Sequence, residues 1–138
     1  MSHICKSRQI STKSRKEVGA LGEKVATEYL RRHGFRFVER NVTRKMGEID
    51  IVVEKAGTLH IFEVKTILAD GFPDEKHARD EYDPSLNLHE AKVRKVVRMG
   101  EWYVLEKGWE GEWQVDGCLV WLRRSDGKAL VRYLPQIV

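Results

Sequence analysis

The segment Thr58–Thr66 constrains this chain more than any other. It is rich in β-branched and aromatic residues, which places it in a strand. Side chains alternate along a strand, so Leu59, Ile61, Glu63 and Lys65 share one face while His60, Phe62, Val64 and Thr66 share the other. A carboxylate and an ammonium within a mainly apolar strand are costly to bury unless they are paired or used. The preceding segment Gly47–Lys55 has the same irregularity: Glu48, Asp50 and Glu54 alternate with Ile49, Ile51 and Val53. Ala56-Gly57 between the two segments is a hairpin turn, and a hairpin can bring Asp50 beside Glu63.

Two carboxylates and a lysine at the edge of a sheet make a usable phosphodiesterase site. Asp50 and Glu63 supply oxygen ligands for a hard divalent cation, Mg²⁺ or Mn²⁺, which keeps several waters. Such a cation polarises a phosphoryl group and lowers the pKa of an attacking water. Lys65 can orient that water or offset charge developing on the phosphoryl oxygens. The strand pattern alone also allows an amphipathic hairpin with a solvated polar face and a cross-strand Glu–Lys pair.

The rest of the chain frames this hairpin. Residues 1–16 are polar and basic and read as a flexible arm; residues 17–138 read as one domain. A helix is expected over Lys16–His33, from the spacing of Val18, Leu21, Val25, Ala26, Tyr29 and Leu30 and the stop at Gly34. A short strand follows over Phe35–Asn41, and a second helix over Leu88–Lys107. Strands at Glu112–Arg123 and Lys128–Leu134 flank the turn Ser125-Asp126-Gly127. The segment Leu68–Pro84, acidic with two prolines, reads as a long surface loop. The order α-β-β-β-α-β-β implies an α/β fold, a mixed sheet of about five strands with helices packed on it.

The residues in their order resemble a known family. Gly19-x-x-Gly22-Glu23-x-x-Ala26-x-x-Tyr29-Leu30, Gly34-Phe35, Arg40-Asn41, Gly47-Glu48-Ile49-Asp50 and Phe62-Glu63-Val64-Lys65-Thr66 look like the YraN-like family of small bacterial proteins. That family lies within the PD-(D/E)XK, or restriction-endonuclease-like, nuclease superfamily and is similar to archaeal Holliday-junction resolvases. The resemblance spans residues 17–122. It implies a restriction-endonuclease-like fold, a metal held by Asp50 and Glu63, a catalytic Lys65, and a helix carboxylate, Glu23, lying over the metal site. Glu48 matches the motif without a clear role, and Asp116 falls near an aspartate typical of the family. Ile49 stands where the superfamily's name has proline, and Ile67 where an arginine is expected after Lys65-Thr66.

Charge bears on the partner. The net charge is +4 and the isoelectric point about 9.1. Basic residues gather at Arg31, Arg32, Arg36, Arg40, Arg44 and Lys45, and again at Lys92, Arg94, Lys95 and Arg98. Of these, Arg31, Arg32, Arg44, Lys45, Lys92 and Lys95 are the candidate nucleic-acid contacts, since Lys and Arg neutralise backbone phosphates. Ordinary solvated surface accounts for charge of this kind as well. No apolar run reaches membrane-spanning length, no secretory signal is visible, and the two cysteines, Cys5 and Cys118, suggest no disulfide framework. A cytoplasmic protein is expected, acting on DNA, most of all branched or irregular DNA. A homodimer would supply two active sites for a symmetric cut, with Trp109, Trp113 and Trp121 as interface candidates. The competing functional class is a nucleic-acid-binding or adaptor module that keeps the nuclease fold and does not cut.

Overall fold

The computed structural model describes residues 2–4, 13–73 and 90–138. Within them the strands are β1 (Ser2–Ile4), β2 (Arg36–Arg44), β3 (Gly47–Lys55), β4 (Thr58–Ala69), β5 (Glu112–Arg123) and β6 (Lys128–Leu134); the helices are α1 (Arg15–Arg32) and α2 (Glu90–Glu106). From β2 onward the bounds follow the sequence closely. The exceptions are β2 and β4, each of which runs three residues further, β4 into the expected surface loop. Residues 74–84 of that loop, residues 88 and 89 of the expected second helix, and residues 1 and 5–12 of the basic arm lie outside the described residues.

One sheet holds all the strands in the order β1-β6-β5-β4-β3-β2. The β4–β5 ladder is parallel, from Thr58↔Glu112 to Ala69↔Arg123; the other ladders are antiparallel. This is the restriction-endonuclease-like α/β arrangement, five long strands between two helices. It has one addition: Ser2–Ile4 of the arm extends the far edge by pairing with Lys128–Leu130. The β3–β4 turn follows its chemistry, with Ala56 at φ 51° and Gly57 at φ 81°, the two left-handed residues of a tight hairpin.

The helices cover opposite faces. On the α1 side Val25, Ala26 and Leu30 pack on Phe35, Ile51, Val53, Phe62, Val120 and Leu122. On the α2 side Val96, Met99 and Tyr103 pack on Val42, Ile49, Val52, Leu59, Ile61 and Val115. Helix α1 begins with a reciprocal cap: the Ser14 hydroxyl accepts from the Glu17 N–H at 3.2 Å and the Glu17 carboxylate accepts from the Ser14 N–H at 3.1 Å. It sits close to the sheet because Gly22 has no side chain; a Cβ there would lie 1.8 Å from the Thr66 hydroxyl oxygen. Trp121 is 5% exposed within β5, so burial in the core removes it from the exposed aromatic surface that the dimer expectation assigned to it.

Candidate active site at the open end of the β3–β4 hairpin

The β3–β4 ladder closes from Lys55↔Thr58 to Ile51↔Phe62 and ends there. Asp50 and Glu63 are the next residues on each strand. Past that point the Val64 N–H donates to the Asp50 carboxylate at 2.7 Å, so the aspartate takes the place of a backbone acceptor and the strands part around it. Glu63 is 4% exposed and accepts from the Lys92 ammonium, at 2.6 Å, across from the first turn of α2. Lys65, half-buried, follows two positions along β4 and shares the Glu63 face by strand alternation.

Electrostatics mark the pair. Burial pushes the Asp50 carboxyl up from its ordinary 3.8 to about 7, and the facing Glu63 adds to the rise, while the Val64 N–H opposes it. Glu63 is raised as well, first by burial and against the pull of Lys92. Glu23, half-buried on α1, is raised by burial and by Glu48 and Glu63, and lowered by Arg40. Four acidic residues from α1, β3 and β4 thus act on one another, with fewer cations among them than their charge demands.

The structure therefore brings together Glu23, Asp50 and Glu63, with Glu48 exposed on β3 yet within electrostatic reach of all three. Two neighbours on β2 were quoted in the sequence pattern without a role. With its amide turned to present the nitrogen, Asn41 donates to both Glu23 carboxylate oxygens at 3.1 Å, and Arg40 provides the favourable charge. Asn41 reaches Glu23 from a left-handed backbone, φ 56°, a conformation asparagine tolerates better than most residues. An asparagine inside a strand pattern, directly after an arginine, was the signal available for it.

The expected nucleic-acid contacts divide. Arg44 and Lys45 lie at the β2–β3 turn, where Arg44 pairs with Gly47, at the Asp50 end of the hairpin. Arg44 stacks over the Trp102 ring at 4.7 Å. Arg31 sits over Phe37 at 4.9 Å, and Phe37 pairs with Val53; with Arg32 it lies roughly 12 Å along α1 from Glu23, so the sequence cluster is not one surface. Lys95 is exposed on α2. Lys92 belongs to the carboxylate centre rather than to a separate phosphate track, because it closes an ion pair with Glu63.

Asp116 is fully buried and has a structural role. It accepts from Tyr133 at 2.7 Å, Gln114 at 2.8 Å and the Gln136 N–H at 2.8 Å, and its other contact is the His60 ring nitrogen at 2.6 Å. These partners hold its carboxyl below its ordinary value, against burial. The network ties β4, β5 and β6 together at the centre of the sheet.

Comparison with known proteins assigns the chain to a family. A model of "Uncharacterised protein family UPF0102" matches residues 22–126. The chain belongs to that family. It is the YraN-like family that the sequence pattern resembled, within the PD-(D/E)XK nuclease superfamily. A UPF0102 protein of Campylobacter jejuni is 34% identical over 98 residues, 71% of this chain and 78% of that one. Another, of Persephonella marina, is 35% identical over 96 residues, 68% of this chain and 73% of that one. Among solved structures, Pyrococcus furiosus SfsA in complex with Ca²⁺ overlaps 89% of this chain and 65% of its own length, at 15% identity and a TM-score of 0.36. Among the described residues no helix is long and apolar enough to cross a membrane.

Proposed function

We propose that this UPF0102 protein is a divalent-metal-dependent endonuclease that hydrolyses DNA phosphodiester bonds, on branched or otherwise irregular DNA. The observation that carries the reading is the juxtaposition of Asp50 and Glu63 where the hairpin ladder ends, both carboxyls raised by burial. Burying two carboxyls side by side costs stability.

The residues fit a hard cation of one kind. Asp50 and Glu63 offer oxygen donors where the ladder ends, Asp50 part-buried and Glu63 buried against the Lys92 ammonium. Among the described residues no three Asp, Glu, His or Cys side chains form a cluster able to hold an ion by themselves. Two carboxylates are enough for Mg²⁺ or Mn²⁺, either of which keeps several waters. When bound, such a cation polarises the phosphoryl group and makes a water acidic enough to attack.

The chain's own groups do the rest. Val64 fixes the Asp50 carboxylate through its N–H, and β4 fixes Glu63, so the two donors are preorganised. Lys65 offsets negative charge at the phosphoryl oxygens as it develops. Asn41 orients the Glu23 carboxylate, and Arg40 favours its ionised form against the rise that burial causes. Arg44 and Lys45 position the phosphate backbone at the hairpin turn.

The alternative, a DNA-binding or adaptor module, draws support from Lys92, which neutralises Glu63 internally. A cleavage assay on duplex, single-stranded, flapped and four-way DNA with Mg²⁺ or Mn²⁺ separates the two. Wild type is expected to cut at least one of them. Lys65→Ala is expected to bind Mn²⁺ and DNA normally and lose about 10²–10³ in rate. Asp50→Asn loses metal affinity and activity together, and Glu23→Gln slows cleavage about 10–100-fold. Binding of DNA without cleavage of any substrate, unchanged by all three substitutions, overturns the enzyme reading in favour of the adaptor.

A further inference from the structure

A cleft of about 500 Å³ opens between the start of α1 and the outer half of β4, and Glu23 lines it. It thus adjoins the carboxylate centre on the α1 face of the sheet, whereas Arg44 lies over Trp102 of α2. Its other lining residues have two characters. Lys13, Arg15 and Arg124 are cationic and come from two separate segments, the N-terminal end of α1 and the turn after β5. Val18, Val64 and Leu68 make an apolar wall. A volume in the range of ligand pockets, a cationic rim and an apolar wall suit a nucleotide: phosphate on the rim, sugar and base on the wall.

Gly19 is the independent observation. It also lines the cleft and lies in the second turn of α1, where glycine costs helix stability relative to alanine. Gly22 repays that cost by close packing on Thr66; Gly19 does not, because a Cβ built on it meets nothing within 4 Å. Its bare backbone leaves open space facing the cleft, with no neighbour in the protein that requires it. Arg124 is free to turn toward a ligand, since its pair with Asp70, at 3.0 Å, joins two solvent-exposed side chains and such pairs hold weakly. Lys13 and Arg15 flank Ser14, the cap of α1, and bring two cations to one end of the cleft.

We propose that this cleft binds one nucleotide of the cleaved strand, adjacent to the phosphate at the carboxylate centre, with its own phosphate on Lys13, Arg15 and Arg124 and its sugar and base against Val18, Val64 and Leu68. The proposal rests on the nuclease reading and extends it: the strand leaves the centre along α1, not only across the hairpin turn.

The test is fluorescence anisotropy of a labelled single-stranded oligonucleotide and a labelled flap in EDTA, across a salt series, with full-length protein. Gly19→Leu fills the cleft. It is expected to weaken binding about tenfold, leave the salt dependence unchanged and keep or raise the melting temperature. Arg124→Ala is expected to weaken binding several-fold and to reduce the log–log salt slope by about 0.7, one phosphate contact on a single strand. Should Gly19→Leu fail to fold, Arg124→Ala decides alone. If Arg44→Ala weakens binding while Gly19→Leu and Arg124→Ala bind as wild type, the cleft is overturned and the nuclease reading stands. If wild type binds neither probe, that reading falls, and the cleft with it.

Discussion

Asp50→Asn should make the metal-free protein more stable above neutral pH. Its carboxyl is raised by burial and by Glu63, from 3.8 to about 7, so the folded state holds that proton more tightly than the unfolded chain does. The stabilising contribution of the protonated form is complete below about pH 4 and is lost as pH rises to about 7. Above that, ionisation of the buried group costs up to about 4 kcal/mol at ~1.4 kcal/mol per pH unit. Glu63 shares the burden, being raised for the same reason, so a gain of about 2 kcal/mol is expected from the single substitution. Asparagine keeps an oxygen for the Val64 N–H that Asp50 now accepts, so the geometry survives and only the charge goes. Thermal melts in EDTA should show the two proteins alike near pH 4. Their difference should grow to about 6 °C by pH 8. Adding Mn²⁺ at a hundred times its Kd should return about 2.7 kcal/mol to wild type and little to the variant. A variant that melts at or below wild type at pH 8 without metal refutes the account of a charge-strained centre.

Gly22→Ala should cost about 1–3 kcal/mol by overpacking, since its Cβ would fall 1.8 Å from the Thr66 hydroxyl oxygen and 2.8 Å from Thr66 Cβ; a lower melting temperature partly restored by Thr66→Gly checks it, and an unchanged melt contradicts the seating of α1. Lys92→Met should tighten Mn²⁺ binding severalfold, because its exposed ammonium sits on the buried Glu63 and competes with the ion. Weaker Mn²⁺ binding by titration would instead mean that Lys92 holds Glu63 in place.

Local signals made much of this protein legible. Period-two alternation and the Ala56-Gly57 turn gave β3 and β4, and the hairpin register then placed Asp50 and Glu63 as successors of Ile51 and Phe62. What stayed hidden depends on elements distant in sequence. Lys92 sits among Arg94, Lys95 and Arg98 and looks like one more phosphate contact; only the crossing of α2 over β4 sets it on Glu63. Arg31 and Arg44 looked like one cluster, yet they lie toward opposite ends of β2, beside Phe37 and Trp102. Asp116 was open between structure and function until its partners on β4, β5 and the C-terminal segment were visible. Trp121 was mistaken for surface because its strand is buried on both faces, which removes the alternation that would have shown it.

The parallel β4–β5 ladder also governs the order in which the molecule assembles. His60 and Asp116 meet across 56 positions of chain, and every pair of that ladder demands a comparable loop closure before any contact rewards it. The β2–β3–β4 meander needs only two tight turns. Asp50 and Glu63 therefore come together early in folding, in the local half of the chain, while the far half of the sheet and the Arg124 side of the cleft are completed at the slow step. Substitutions in the β5 core, such as Val120→Ala, and ones that destabilise the β2–β3 turn should accordingly both slow refolding, because contacts formed before or at the slow step count in its barrier.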